Sequence, residues 1–282
     1  MPLRFAIIGD PVVHSLSPLL HATAFRALGI DAEYGRIRIA QDEIKDVWAR
    51  TLLPDYDGFN VTLPLKESVL PLLDTVDELA ASVGAVNTVS RVDGRLHGTN
   101  TDILGIRGTL APAMELIRHQ PAVLIGAGGT SRSATAALAA DIHPSKLTFL
   151  VRDPRRGRDV ATLARSLLSC SVQILRLGTS EAFSSLSEAR LIVQTTPVGM
   201  VPESGLDPVQ DFQGFHRDQV VFDVIYRPLQ TAMLRRAATA GSRVLGGLEL
   251  FLLQGAAAFQ LWTRRTLPLD VVRPVILEAL SA

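Results

Sequence analysis

The chain of 282 residues is short of cysteine, of lysine and of any excess charge, and each shortage excludes something. Its one cysteine, Cys170, cannot close an internal disulfide and has no ligand-spaced partner, so a disulfide scaffold and a cysteine zinc site are both ruled out. A buried core thiol is its expected role. Lys and Arg together number 28, as do Asp and Glu, so no global field favours nucleic acid or an anionic membrane surface. Any anion has to be gripped locally. No apolar run is long enough to cross a bilayer: the most apolar late stretch, Leu248 to Trp262, is interrupted by Glu249, Gln254 and Gln260. The opening Met1-Pro2-Leu3-Arg4-Phe5 passes straight into a strand pattern without a basic-then-apolar leader, which argues for a cytoplasmic protein.

Against 25 arginines stand three lysines, and one of them, Lys66, lies in Gly58-Phe59-Asn60-Val61-Thr62-Leu63-Pro64-Leu65-Lys66. An amine can surrender its proton where a guanidinium cannot, so the exception invites a chemical role. A composition 47% apolar and 20% charged is that of an ordinary globular enzyme, and the length suggests two domains, each with its own core.

Short apolar strands alternate with amphipathic helices. Phe5 to Ile8, a helix from Pro18 to Leu28, Arg36 to Ile39 and a helix near Glu43 to Leu53 read as βαβα with a parallel sheet. Strands at Gly58 to Thr62 and Ala85 to Val89 follow, with helical pieces at Val69 to Leu73 and Asp77 to Ser82. After a helical pattern from Ile103 to Ile117, a second βα series places strands near Val123, Leu147 to Val151, Val172 to Leu175, Leu191 to Gln194 and Val220 to Val224. Helices return at Leu248 to Arg264 and Leu269 to Leu280. Hinges are expected near Asp102 and Gly246.

Directly after Ala122 to Ile125 comes Gly126-Ala127-Gly128-Gly129-Thr130-Ser131, leading into a helix-prone run. Strand, glycines and helix in that order let backbone N–H groups face a pyrophosphate, and Ser131 is small enough for close helix–sheet packing. Glycines of a tight βα turn would look the same without a nucleotide. The next strand ends Val151-Arg152-Asp153-Pro154-Arg155-Arg156. An acid here takes ribose hydroxyls and arginines take a 2′-phosphate; three arginines against one aspartate favour NADP, although a solvated basic loop also fits.

In the first third, Ser17 before Pro18 reads as a helix N-cap, which leaves Ser15 unexplained. His14 and His21 lack a nearby carboxylate, and no metal site is expected. Asn60, Thr62 and Lys66 follow one strand; Asn87-Thr88 and Asn100-Thr101-Asp102 mark other element ends, with Asp102 a plausible N-cap.

Taken together, His14-Ser15-Leu16-Ser17-Pro18, the run 58–66, Gly84-Ala85-Val86-Asn87-Thr88, Asn100-Thr101-Asp102, 126–132, Thr195 to Met200, Asp223 to Pro228, Gly246 to Leu248 and Gln254 resemble the shikimate dehydrogenase family over essentially the whole chain. The resemblance implies an α/β fold of two domains. Residues 1–102, completed by helices in 248–282, would bind substrate, and 103–247 would form a Rossmann-type NADP-binding domain, with substrate held between the two. It implies that Ser15 and Ser17 hold the substrate carboxylate, and that Asn60, Thr62, Lys66, Asn87, Asp102 and Gln254 surround the ring hydroxyls, with Tyr226 reaching in. Gly126, Ala127, Gly128, Gly129, Thr130 and Ser131 would lie under the pyrophosphate, Arg152 and Arg156 near the 2′-phosphate, and Thr195, Thr196, Val224, Gly247 and Leu248 along the nicotinamide.

The implied activity is reversible NADPH-dependent reduction of 3-dehydroshikimate to shikimate, with Lys66 and Asp102 catalytic, in a monomer or homodimer without nucleic-acid or membrane partners. NAD stays open as a cofactor, and quinate or an aminated shikimate analogue as a substrate. A non-catalytic ligand sensor is the reading from another class. The chain departs from the family pattern at Ile103, where glycine is usual, and at Ala22 and Val151, where asparagine is usual.

Overall fold

The computed structural model describes residues 2–281, apart from the side chain of Leu53. Two compact units emerge: residues through Leu104 together with those from Leu252 onward, and Gly105–Phe251.

The first unit is built on β1 (Leu3–Gly9), β2 (Ala32–Arg38), β3 (Gly58–Val61), β4 (Thr75–Val76), β5 (Thr88–Val92) and β6 (Arg95–Thr99), in the order β2-β1-β3-β5-β6-β4. Phe5 to Gly9 is buried throughout, as a central strand covered on both faces must be. β1 runs parallel to β2 and β3, whereas β5 is antiparallel to both β3 and β6. The sheet is therefore mixed rather than parallel.

The strand expected at Ala85 to Val89 starts at Thr88, reaches Val92, and turns back through Asp93-Gly94. Both turn residues have positive φ, 51° and 77°. A two-residue turn of that kind matches the twist of the strands it joins and selects Asp-Gly, a signal the periodicity argument passed over.

The first helix spans Ser17–Leu28 and ends at Gly29 in the left-handed region, φ 63°. Ser17 is not its N-cap but its first residue: Leu16 flanks the helix, and the Ser15 hydroxyl accepts from the Ser17 N–H at 3.2 Å. Far along the chain, Gly247–Thr263 brings Trp262 against this sheet. The indole N–H donates to the Val89 carbonyl at 3.0 Å and its ring stacks on Phe5 at 4.7 Å. A Cβ at Gly58 would lie 2.6 Å from the indole nitrogen, so only glycine fits there.

The second unit carries β7 (Ala122–Ile125), β8 (Lys146–Val151), β9 (Ser171–Arg176), β10 (Leu191–Gln194), β11 (Val220–Asp223) and β12 (Arg243–Leu245). All are parallel, ordered β12-β11-β10-β7-β8-β9. β12 was not anticipated; three residues are too few to show a period. From β7 the chain winds out to β9, then restarts at β10 on the other side. This is the doubly wound order of dinucleotide-binding folds, with its switch point between β7 and β10. Cys170 lies in the turn before β9 and is only half-buried, so it is not the core thiol expected. Among the described residues no helix is long and apolar enough to cross a membrane.

Candidate active site

In the first sheet β1 leads through a helix to β2 on one side, while β3 pairs on the other. The loops after β1 and β3 therefore flank a switch point, where α/β sheets present ligand-binding side chains. Ser15 and Ser17 leave β1; Thr62 and Lys66 leave β3. The Ser15 hydroxyl donates to that of Ser17 at 3.2 Å, and Arg36 grips the Ser15 carbonyl through Nε and Nη2 at 3.1 and 2.7 Å. Arg36 thus fixes the serine turn from β2.

Lys66 follows Leu65, which with Val69 is fully buried, so the backbone around the amine is anchored on both sides. Its Nζ lies 2.5 Å from Asp102 Oδ2, with the two side chains only 12% and 11% exposed. Asp102 is the second residue of the helix Thr101–Leu110 rather than its N-cap. Its other oxygen accepts from the Asn87 amide at 2.7 Å. Ile103 beside it is 1% exposed, so this departure from the family pattern belongs to the core and supports the helix start.

Asn60 is buried with both ends of its amide engaged: Oδ1 accepts from the Tyr34 hydroxyl at 2.6 Å, and Nδ2 donates to Thr88 Oγ1 at 3.2 Å. Tyr34 stacks on the fully buried His21 at 4.5 Å. Burial depresses the His21 imidazole to a pKa of about 3, so it stays neutral. Thr62 is half-buried at the end of β3, and Gln254 is half-buried on the helix Gly247–Thr263. Tyr34 and Arg36 were missed by sequence reasoning, and no local pattern marks them, because strand partners become neighbours only through register.

In the second unit the glycine loop sits at the β7–β10 switch point. Gly126 has φ 115°, and a Cβ there would meet Thr195 Oγ1 at 2.6 Å. Thr195 donates to the Ile125 carbonyl through N–H and Oγ1, at 2.9 and 2.8 Å, and Thr196 follows it. Gly128 flanks the helix Gly129–Ala137 with no side-chain cap and open space where a side chain would be. The first-turn N–H groups, Thr130 and Ser131 among them, thus form a donor set that fits a pyrophosphate. Buried Ser131 ties back to the Gly126 carbonyl at 3.0 Å.

Past β8, Asp153 spends its carboxylate on the Arg155 backbone and guanidinium, at 3.0 and 2.9 Å. Arg152 and Arg156 are exposed. With the acid occupied, the loop offers cations, which suits a phosphate better than a ribose diol.

Asp223, at the end of β11, is fully buried and accepts from the Ile225 N–H at 3.0 Å and the Thr231 hydroxyl at 2.7 Å. Burial pushes its carboxyl up to about 7. These bonds shape the loop carrying Val224 and Tyr226, the latter stacked on Phe251 at 4.4 Å. A side chain on Gly247, just before Leu248, would strike the Val224 carbonyl.

A protein from Chlorobium phaeovibrioides called shikimate dehydrogenase (NADP(+)) is 35% identical over 99% of this chain and 97% of its own. The chain belongs to the shikimate dehydrogenase family. Its residues 7–89 match the family model described as the shikimate dehydrogenase substrate binding domain. A shikimate dehydrogenase (NADP(+)) from Salinibacter ruber is 39% identical, over 93% of this chain and 92% of its own. Among solved structures, shikimate 5-dehydrogenase from Thermus thermophilus in complex with NADP(H) and shikimate superposes with a TM-score of 0.81 at 34% identity, covering 98% of this chain and 99% of that one. Of the three positions at which the sequence departs from the pattern it resembles, Ile103 is buried, Ala22 is half-buried on the first helix and Val151 is buried at the end of β8.

Proposed function

We propose that the chain is an oxidoreductase acting on a CH–OH group: it interconverts shikimate and 3-dehydroshikimate with NADP(H), a step of aromatic amino-acid biosynthesis. The observation that carries this reading is the enclosed Lys66–Asp102 pair, 2.5 Å apart at a switch point that also presents Ser15 and Ser17. Bound NADPH would supply the hydride. The loop 126–131, with Arg152 and Arg156, would hold its phosphates, and Thr195, Thr196, Val224, Gly247 and Leu248 would border its nicotinamide.

As the ring carbonyl is reduced, negative charge gathers on its oxygen. Lys66 Nζ is the donor that meets it, giving up a proton in one direction and taking it back in the other. Asp102 Oδ2 holds the amine in place for both. The serine hydroxyls suit the substrate carboxylate; Asn60, Thr62, Asn87 and Gln254 border the ring. A quinate or aminoshikimate dehydrogenase, or a ligand sensor without turnover, is less favoured: the relatives above carry the shikimate name, and the acid–base pair is intact.

The test is nicotinamide absorbance with shikimate and with quinate, each with NADP and NAD. Fastest turnover is expected for shikimate with NADP; faster turnover of quinate, or none at all, overturns the reading.

A further inference from the structure

Asn87 has more donors aimed at it than its own side chain needs. Its Oδ1 accepts from the Thr101 N–H at 2.7 Å, from the Thr101 hydroxyl at 3.1 Å and from the Thr88 hydroxyl at 3.1 Å. The two hydroxyls are 3.0 Å apart, and Thr88 Oγ1 also accepts from Asn60 Nδ2 at 3.2 Å. Asn87, Thr88 and Thr101 are all buried, the two threonines completely. Neither threonine can touch a substrate.

The Thr101 backbone N–H can only donate, so the oxygen of Asn87 must face it. Turning the amide over would set NH₂ against N–H on one side and a carbonyl against the Asp102 carboxylate on the other. Both contacts would be repulsive in a site closed to water. The amide therefore has one orientation, with NH₂ on Asp102 Oδ1 at 2.7 Å, and Asp102 is left to turn Oδ2 toward Lys66.

We propose that Thr88 and Thr101 are positioning residues for proton transfer: the Thr101 N–H sets which way the Asn87 amide faces, and the two buried hydroxyls hold that amide in place, so that it aims Asp102 at the Lys66 amine. This rests on the reading of Lys66 as the proton carrier. The arrangement explains why hydroxyls occupy two fully enclosed positions where an apolar side chain of the same shape would otherwise pack: each has a hydrogen-bonded partner within the network.

Two measurements separate the proposal from that reading. With only Lys45, Lys66 and Lys146 in the chain, lysine labelled with ¹³C at Cε gives three resolvable NMR signals. Thr101→Val should move the Lys66 signal and leave the other two, and Thr101→Ser should restore it, whether or not shikimate is the substrate. In the shikimate assay, Thr101→Val should lower kcat by roughly 10-fold to 10²-fold, the scale of a misplaced catalytic group, with KM changed less than threefold. Thr101→Ser should recover most of the rate. Should Thr101→Val not fold, Thr88→Val removes the other hydroxyl and reads the same signal. An unmoved Lys66 signal in the folded variants, or serine behaving like valine, overturns the proposal. A moved signal in an enzyme that never oxidises shikimate overturns the functional reading instead.

Discussion

One enclosed amine, that of Lys66, carries the proposed chemistry. Lys66→Ala should lower kcat by ~10²-fold or more while shikimate binds within about tenfold, since proton transfer belongs to the transition state. Steady-state and binding measurements on the same preparation check both halves. Arg152→Ala with Arg156→Ala should raise KM for NADP far more than for NAD, because only NADP carries the extra phosphate; equal losses would make both arginines generic surface charge. The glycine loop was legible from its strand–glycine–helix order and Lys66 stood out as one of three lysines, while the pairing of Lys66 with Asp102, which the structure places 2.5 Å apart, followed only from the family resemblance. Tyr34, Arg36 and the locking role of Thr88 and Thr101 were not legible. Their partners lie on other strands or across a turn, and a hydroxyl aimed inward has the same letter as one aimed at water.

Among the elements, periodicity found the buried strands and the long helices but missed the β5–β6 hairpin inside the first sheet and the short edge strands β4 and β12. β1, β7, β8, β10 and β11 are buried apolar runs, and they read plainly. The β5–β6 hairpin did not, since its strands alternate with polar residues and only Asp93-Gly94 announces the reversal. Ser17 and Asp102 both read as N-caps in the sequence but are the first and second residues of their helices, a usual margin where capping groups are interchangeable. The burial of Ile103 turns its departure from the family pattern into a stability question. Ile103→Gly should cost about 3–6 kcal/mol, a core truncation plus the ~1 kcal/mol of glycine in a helix. Ile103→Val should cost about 1 kcal/mol and leave the ratio of kcat/KM for shikimate and quinate unchanged. A tenfold change in that ratio would put Ile103 back at the substrate.

At the scale of the whole molecule, two buried titratable groups pull stability in opposite directions with pH. His21 titrates near 3 in the folded first unit against 6.5 when unfolded, so its contribution is complete above 6.5 and drains away as pH falls toward 3. Asp223, raised to about 7 from 3.8, contributes fully below 3.8, and that contribution is lost as pH climbs to about 7. Each slope approaches ~1.4 kcal/mol per pH unit inside its window. Urea unfolding across pH 4 to 7 should show His21→Phe without the acid-side loss in the first unit and Asp223→Asn without the rise-with-acid in the second. Slopes unchanged from the parent would show that other groups dominate. The division of the chain also sets a timetable. The first unit takes its closing pieces from Leu252 onward, and Trp262 bonds to Val89 across 173 residues. The second unit is one uninterrupted stretch. The inserted unit is therefore complete in the chain while β1 is still waiting for its aromatic cover, so a chain truncated after Phe251 and released from the ribosome should resist protease in the later-encoded unit and be cut in the earlier one.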